Sequence, residues 1–166
     1  MKRALSLVMA CMLAITVASA QTGWVDHKAD ERISIKFPAD PAEVIAGTFV
    51  AKDKDEVAYV FTVVDFVAVA NIDSVALAPI KNTAAFTDQL KVGMAQSLPD
   101  VTFDDFKIGT WKGFTSYTST GVDSKKQIYD MFMILVGNKL YSLSTIRADG
   151  TSTVGRDSFF QSLTLQ

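Results

Sequence analysis

The sequence predicts a single α+β domain: a mostly antiparallel sheet of about six or seven strands with helices packed on its faces. Three stretches carry that expectation. Gln127 to Arg147, QIYDMFMILVGNKLYSLSTIR, holds two runs of aromatic, β-branched and long apolar residues around Gly137-Asn138, whose glycine tolerates positive φ and suits a tight reversal. Glu56 to Phe66, EVAYVFTVVDF, is apolar on both faces of a strand, as is the arm before Gly137. Such strands belong near the middle of a sheet covered on both sides. Thr83 to Leu98 supplies a helix, with Phe86, Leu90, Met94 and Leu98 at four-residue spacing against a polar face of Asp88, Gln89, Lys91 and Gln96.

The chain opens with a leader pattern. Lys2 and Arg3 precede an apolar run from Ala4 to Val17, and Ala18-Ser19-Ala20 is the small-residue site a signal peptidase reads. Residues 1–20 are therefore read as a signal peptide cleaved after Ala20, and residues 21–166 as one domain. The apolar run is shorter than the ~20 residues a membrane span needs, and no later segment has such a run. The expectation is an exported protein, periplasmic or secreted, with no integral membrane segment after cleavage. The single cysteine, Cys11, lies inside the leader. Val8-Met9-Ala10-Cys11 matches a lipidation motif only loosely, since Met9 fits poorly and the apolar run continues past the cysteine. A mature chain without cysteine has no disulfide, thiol nucleophile or cysteine metal site, and its stability falls to packing.

The whole chain carries 16 basic and 18 acidic residues; without Lys2 and Arg3 the balance is 14 to 18, a net charge near −4. No basic stripe is available to meet a phosphate backbone, so nucleic acid is not an expected partner. Lys125-Lys126 reads as a solvated loop tip.

Taken in order, residues 21–31 are polar apart from Trp24 and Val25. Ile33, Ile35 and Phe37 then alternate with Ser34 and Lys36 as a half-buried strand, which Pro38-Ala39-Asp40-Pro41 ends. Val44 to Ala51 and Glu56 to Phe66 form a hairpin joined by Lys52-Asp53-Lys54-Asp55. Val67 to Ile80, VAVANIDSVALAPI, is expected to extend the strand to about Ala70 and then form a short helical turn capped by Asp73. A second reading of the same residues makes them a lid over an apolar pocket. Thr83 caps the following helix and Pro99 stops it, and Gly93 is expected to let it approach the sheet beside Ser142 and Ser144. Phe103 to Thr110 and Gly113 to Ser119 read as short outer strands around Trp111-Lys112. In the central hairpin the turn sets Leu135 opposite Leu140, Met133 opposite Ser142 and Met131 opposite Ser144, with Ile134–Tyr141 and Phe132–Leu143 on the other face. Past Asp149-Gly150, a short helix brings Phe159 and Phe160 onto the core, and Leu163-Thr164-Leu165 returns to the sheet.

The inventory of reactive groups excludes more than it offers. His27 is the sole histidine. With Asp26, Asp30 and Glu31 it could bind a metal, but one imidazole among charged residues is read as solvated surface. A serine triad would have to use it, and neither a G-x-S-x-G elbow nor an S-x-x-K stands in the mature chain. Asp53, Asp55 and Glu56 bunch at a hairpin tip and Asp104-Asp105 form a second acidic pair, without the spacing of a calcium loop. Gly150 and Gly155 lack the lysine of a phosphate loop. Asp130, opposite Thr145 in an apolar strand, belongs at the sheet margin or in a buried hydrogen bond, and the margin is the reading adopted. No catalytic, cofactor-binding or metal residue is assigned.

Trp24, the strand ending ISIKFPADP, the arm VAYVFTVVDF, the mid-chain helix, the arm-turn-arm FMILVGNKLYSL and the closing FFQSLTL together resemble small exported bacterial proteins of the PsbP-like fold, a group that also includes DcrB-type envelope proteins. The resemblance implies a central antiparallel sheet with helices on its faces, and a role as an assembly or binding module; it brings no catalytic motif. The leading expectation is a non-enzymatic exported module that binds a protein partner or supports envelope assembly. A carrier of a small apolar ligand is the alternative, and a hydrolase ranks last.

Overall fold

The computed structural model describes residues 23–166. The expected leader, its cleavage after Ala20 and the motif at Cys11 lie outside these residues. The central hairpin is present as expected. β9 (Gln127–Val136) and β10 (Lys139–Ala148) pair in the register the turn dictates, with Leu135 opposite Leu140, Met133 opposite Ser142 and Phe132 opposite Leu143. Gly137 alone of the two turn residues has positive φ, at 63°, as a reversal with glycine in first place requires.

An eight-stranded antiparallel sheet is built around that hairpin, in the order β3 (Ala42–Ile45), β4 (Thr48–Lys52), β5 (Ala58–Asp65), β10, β9, β8 (Phe114–Asp123), β6 (Val101–Phe103), with β7 (Lys107–Trp111) also on β8. The doubly apolar arms, β5 (Ala58–Asp65) and β9, flank β10 at its centre. On one face lie a small sheet, β2 (Ile33–Phe37) between β1 (Val25–Lys28) and β11 (Thr164–Leu165), and α4 (Val154–Gln161). Ile33, Ile35, Phe37 and Phe159 close there over Tyr59, Phe61, Ile134, Tyr141 and Leu143. On the other face α3 (Ala84–Ser97) and α2 (Ser74–Leu77) bring Phe86 and Leu77 onto Tyr117, Met131, Met133 and Leu135. Fully burying one such side chain stabilises by about 1.5–3 kcal/mol, so these two cores dominate the stability of the fold.

The class holds, but several elements differ from expectation. The arm from Val44 to Ala51 is not one strand: Gly47, at φ 75°, folds β3 (Ala42–Ile45) back on β4 (Thr48–Lys52). Ile33 to Phe37 leaves the main sheet for the small one, and the main sheet still reaches eight strands because the Val44 to Ala51 arm is divided and two short strands, not one, follow the mid-chain helix. Phe66 to Ala70 does not extend β5; it is a helix, α1, because the Asp65 carboxylate accepts the Val67 N–H and Asn71 closes the turn in the left-handed region. α2 is capped by Asp73, as expected. β6 (Val101–Phe103) and β7 (Lys107–Trp111) are the outer strands, whereas β8 (Phe114–Asp123) is ten residues long and lies inside the sheet. Thr83 caps α3 through its hydroxyl, but Gly93 faces open space and makes no approach to Ser142 or Ser144.

Candidate functional site

Chemistry and surface concentrate in three places: an apolar strip on α1 and α2, and two polar clefts on the opposite side of the central sheet. The strip follows from the way β5 ends. Asn138, in the central turn, donates its side-chain amide to Asp65 at 2.6 Å, and its carbonyl accepts the Phe66 N–H at 2.9 Å. Phe66, Ile72 and Leu77 point inward, so the alternate residues point out. Val67, Val69, Val75 and Ile80 are 44, 68, 78 and 42% exposed, with small residues Ala68, Ala70, Ala76 and Ala78 between them. Asp73 is the sole charge from Val67 to Ile80. Scattered exposed valines need no cause; these four stand together on one connection of two short helices with alanines and small polar residues between them, which makes the strip a candidate site.

The first cleft, about 260 Å³, opens between α4, the loop after β6 and strands β8 and β9. Its floor is Asp130, only 7% exposed. Its carboxylate accepts Arg147 Nε at 2.9 Å and an Arg156 guanidinium nitrogen at 3.3 Å, and Arg156 is also held by Asp157 at 2.7 Å. Arg147 reaches Asp130 because it stands diagonally across the β9–β10 ladder on the same face. Partial burial pulls the Arg156 guanidinium down, but Asp157 and Asp130 outweigh it and raise it above its ordinary value. Asp104, Lys107, Thr118 and Phe160 complete the rim.

The second cleft, about 280 Å³, lies by the central turn among Asp30, Arg32, Asn138 and Lys139. Asp30 is its hub. The carboxylate accepts the Tyr141 hydroxyl at 2.6 Å, Lys139 Nζ at 3.1 Å and the N–H groups of Arg32 and Ile33 at 2.8 and 3.0 Å. Burial pushes this carboxyl up, yet those donors, Tyr141 foremost, bring it down to about 2. Burial and the same carboxylate push the Tyr141 phenol well above its usual range.

The structure corrects two single-residue expectations. Asp130 sits in a buried ion pair and not at the sheet margin. His27 is not solvated surface: its ring packs at 4.2 Å from Phe49 and 5.7 Å from Phe37, and Nε2 is buried without a partner among the described residues. Burial lowers the imidazole below its ordinary range, with Glu43 pulling the other way. Of its expected companions, Asp26 pairs with Lys36 on the surface and Asp30 serves the second cleft. Among the described residues no three His, Cys, Asp or Glu side chains converge as a metal site would require. The tip acids are partly structural: Asp53 accepts the N–H groups of Asp55 and Val57 and the Tyr59 hydroxyl, the last at 2.8 Å. Asp105 pairs with Lys91 at 2.7 Å, and Lys125-Lys126 are exposed as expected. Sequence reasoning did not find Arg147 and Arg156. Running the hairpin register three pairs beyond Ser144 would have set Arg147 opposite Ile128, diagonal to Asp130 on the same face; nothing local in the sequence places Arg156 there.

No family model matches the chain, and no curated protein does. Among solved structures it is similar to cyanobacterial PsbP (CyanoP) from Synechocystis sp. PCC 6803, with a TM-score of 0.61 and 12% identity over 93% of this chain and 99% of that one. A crystal structure from Bacteroides thetaiotaomicron VPI-5482 aligns with a TM-score of 0.48 and 11% identity over 81% of this chain, which spans 45% of that one. The fold is PsbP-like. At such identity the likeness concerns architecture and carries no activity across.

Proposed function

We propose that this chain is an exported, non-enzymatic binding module whose contact face for a protein partner is the strip on α1 and α2. The exposure of Val67, Val69, Val75 and Ile80 on one connection is the observation that carries this reading. The strip suits a protein surface better than a lipid one. It contains no aromatic and no basic residue, and its one charge is the acid Asp73, whereas peripheral membrane segments rely on aromatic rings and Lys or Arg. Export itself rests on the leader pattern of residues 1–20.

The carrier reading has less support, because both clefts are rimmed by charged and polar side chains and the α1–α2 residues face outward. A hydrolase has less still, since His27 contacts aromatic rings and its buried Nε2 has no hydrogen-bond partner among the described residues. The test compares the wild-type chain with Val69→Ser/Val75→Ser in cross-linking capture from cell-envelope extract. The wild type is expected to enrich a partner at near-native abundance that the variant loses while keeping its circular dichroism and Tm. Equal capture by both removes the strip from the proposal, and no enrichment by the wild type removes the module. A lipophilic mass co-purifying in native mass spectrometry would favour the carrier.

A further inference from the structure

The main sheet ends in β3 on one side and in β6 and β7 on the other, and these edges are not equally protected. β3 follows Pro41, carries a register shift between Glu43 and Ile45, and uses the Glu43 carboxylate to hold the Gly47 N–H. β6 is three residues long. In the small sheet β1 presents Asp26 and Lys28, and β11 has two residues. Proline, bulges, charges and shortness are the usual devices that keep an edge from pairing with another chain. β7, KIGTW, has five residues in unbroken register with β8, no proline, no acid and no bulge, and Lys107 at its start is its sole charge.

The direction of its backbone groups follows from the turn. Lys112 and Gly113, at φ 46° and 84°, form a tight reversal, so Trp111 and Phe114 are the hydrogen-bonded closing pair. Trp111, Gly109 and Lys107 then direct N–H and C=O at β8. Ile108 and Thr110 direct theirs away, and these four groups have no partner among the described residues. Ile108 is 41% exposed.

We propose that β7 pairs antiparallel with β7 of a second copy of this chain, joining two main sheets across a two-fold axis at Gly109. The segment is complementary to itself in that register. Ile108 meets Thr110 of the second copy and exchanges two backbone hydrogen bonds with it; the symmetric pair supplies two more. Gly109 faces its own copy at the non-bonded position, where strands approach most closely and a side chain would be most crowded. Lys107 lies across from Trp111 of the second copy on one face, so its aliphatic stem covers indole surface beside the Lys112 ammonium, which already sits 4.7 Å from that ring in its own chain. A contact this small forms a weak, reversible dimer. It is independent of the α1–α2 strip, which lies elsewhere on the molecule.

Sedimentation velocity from ~10 μM to ~1 mM should show a concentration-dependent monomer–dimer equilibrium. Amide exchange at Ile108 and Thr110 should slow by about tenfold across that range while the N–H of exposed Val69 does not change. Ile108→Pro removes an outward donor and no bond to β8, and Thr110→Lys adds charge at an exposed position. Each should weaken dimerisation at least tenfold with circular dichroism unchanged, and Thr110→Lys decides the matter if the proline variant does not fold. A monomer at every concentration overturns the proposal. So does a dimer whose Ile108 and Thr110 amides keep their exchange rates, or one that Thr110→Lys leaves intact.

Discussion

Two glycines in helices show how much the surroundings decide. Gly93 in α3 faces open space, so Gly93→Ala should stabilise by about 0.5–1 kcal/mol, the conformational freedom that glycine loses on folding. Gly155 in α4 lies over Tyr59, and an added Cβ would run into that hydroxyl and disturb its bond to Asp53. Gly155→Ala should therefore destabilise by about 1–3 kcal/mol, as overpacking does. Urea denaturation of the two variants tests the opposite signs. His27 makes a pH-dependent contribution of known sign. Its folded-state value lies below the ordinary 6.5, so the unfolded chain binds the proton more readily. Stability should be at its plateau above about pH 6.5, fall as pH drops toward the depressed folded value, and level off below it. His27→Phe should abolish that slope in denaturation midpoints measured between about pH 5 and pH 8. The sequence located His27 but could not show its burial, because Phe49, some twenty residues away, comes from a different sheet.

At the level of elements, α4 is fastened by Phe159 in the core and by Arg156 on Asp130. Asp130→Asn would leave two guanidinium groups facing a neutral amide, and breaking such a buried pair costs about 3–5 kcal/mol. Arg156 keeps Asp157 and part of its hydration, so a loss near the lower end, about 3 kcal/mol, is expected. Limited proteolysis should find residues 149–166 newly sensitive in the variant. Strong local signals made some elements legible: Gly137-Asn138 fixed its hairpin register, and the Phe86, Leu90, Met94 spacing fixed α3. α1 was not legible, since Phe66-Val67-Ala68-Val69-Ala70 has strand-forming side chains and becomes helical through the Asp65 cap and the contact with Asn138. β8 was misplaced for a related reason. Its threonines and serines suggest an outer strand, but Thr115, Ser116 and Ser119 are buried in the sheet interior.

For the molecule as a whole, the class and the doubly covered sheet were readable because both depend on hydrophobic period. The exposed apolar strip and the open strand edge, which carry the proposals, were not, because they depend on which residues are left over once the cores and ladders are filled. Val67 to Ile80 could be noticed as too apolar for a loop; only the structure turns Leu77 inward and Val75 outward. Closure of the small sheet also bears on when the domain can be completed. β2 needs Thr164 and Leu165 opposite Ser34 and Ile33, so residues near the start wait for partners about 130 positions later. A chain that emerges N-terminus first cannot seal that layer until Thr164 and Leu165 have followed, so the small sheet closes later than the hairpins of the main one.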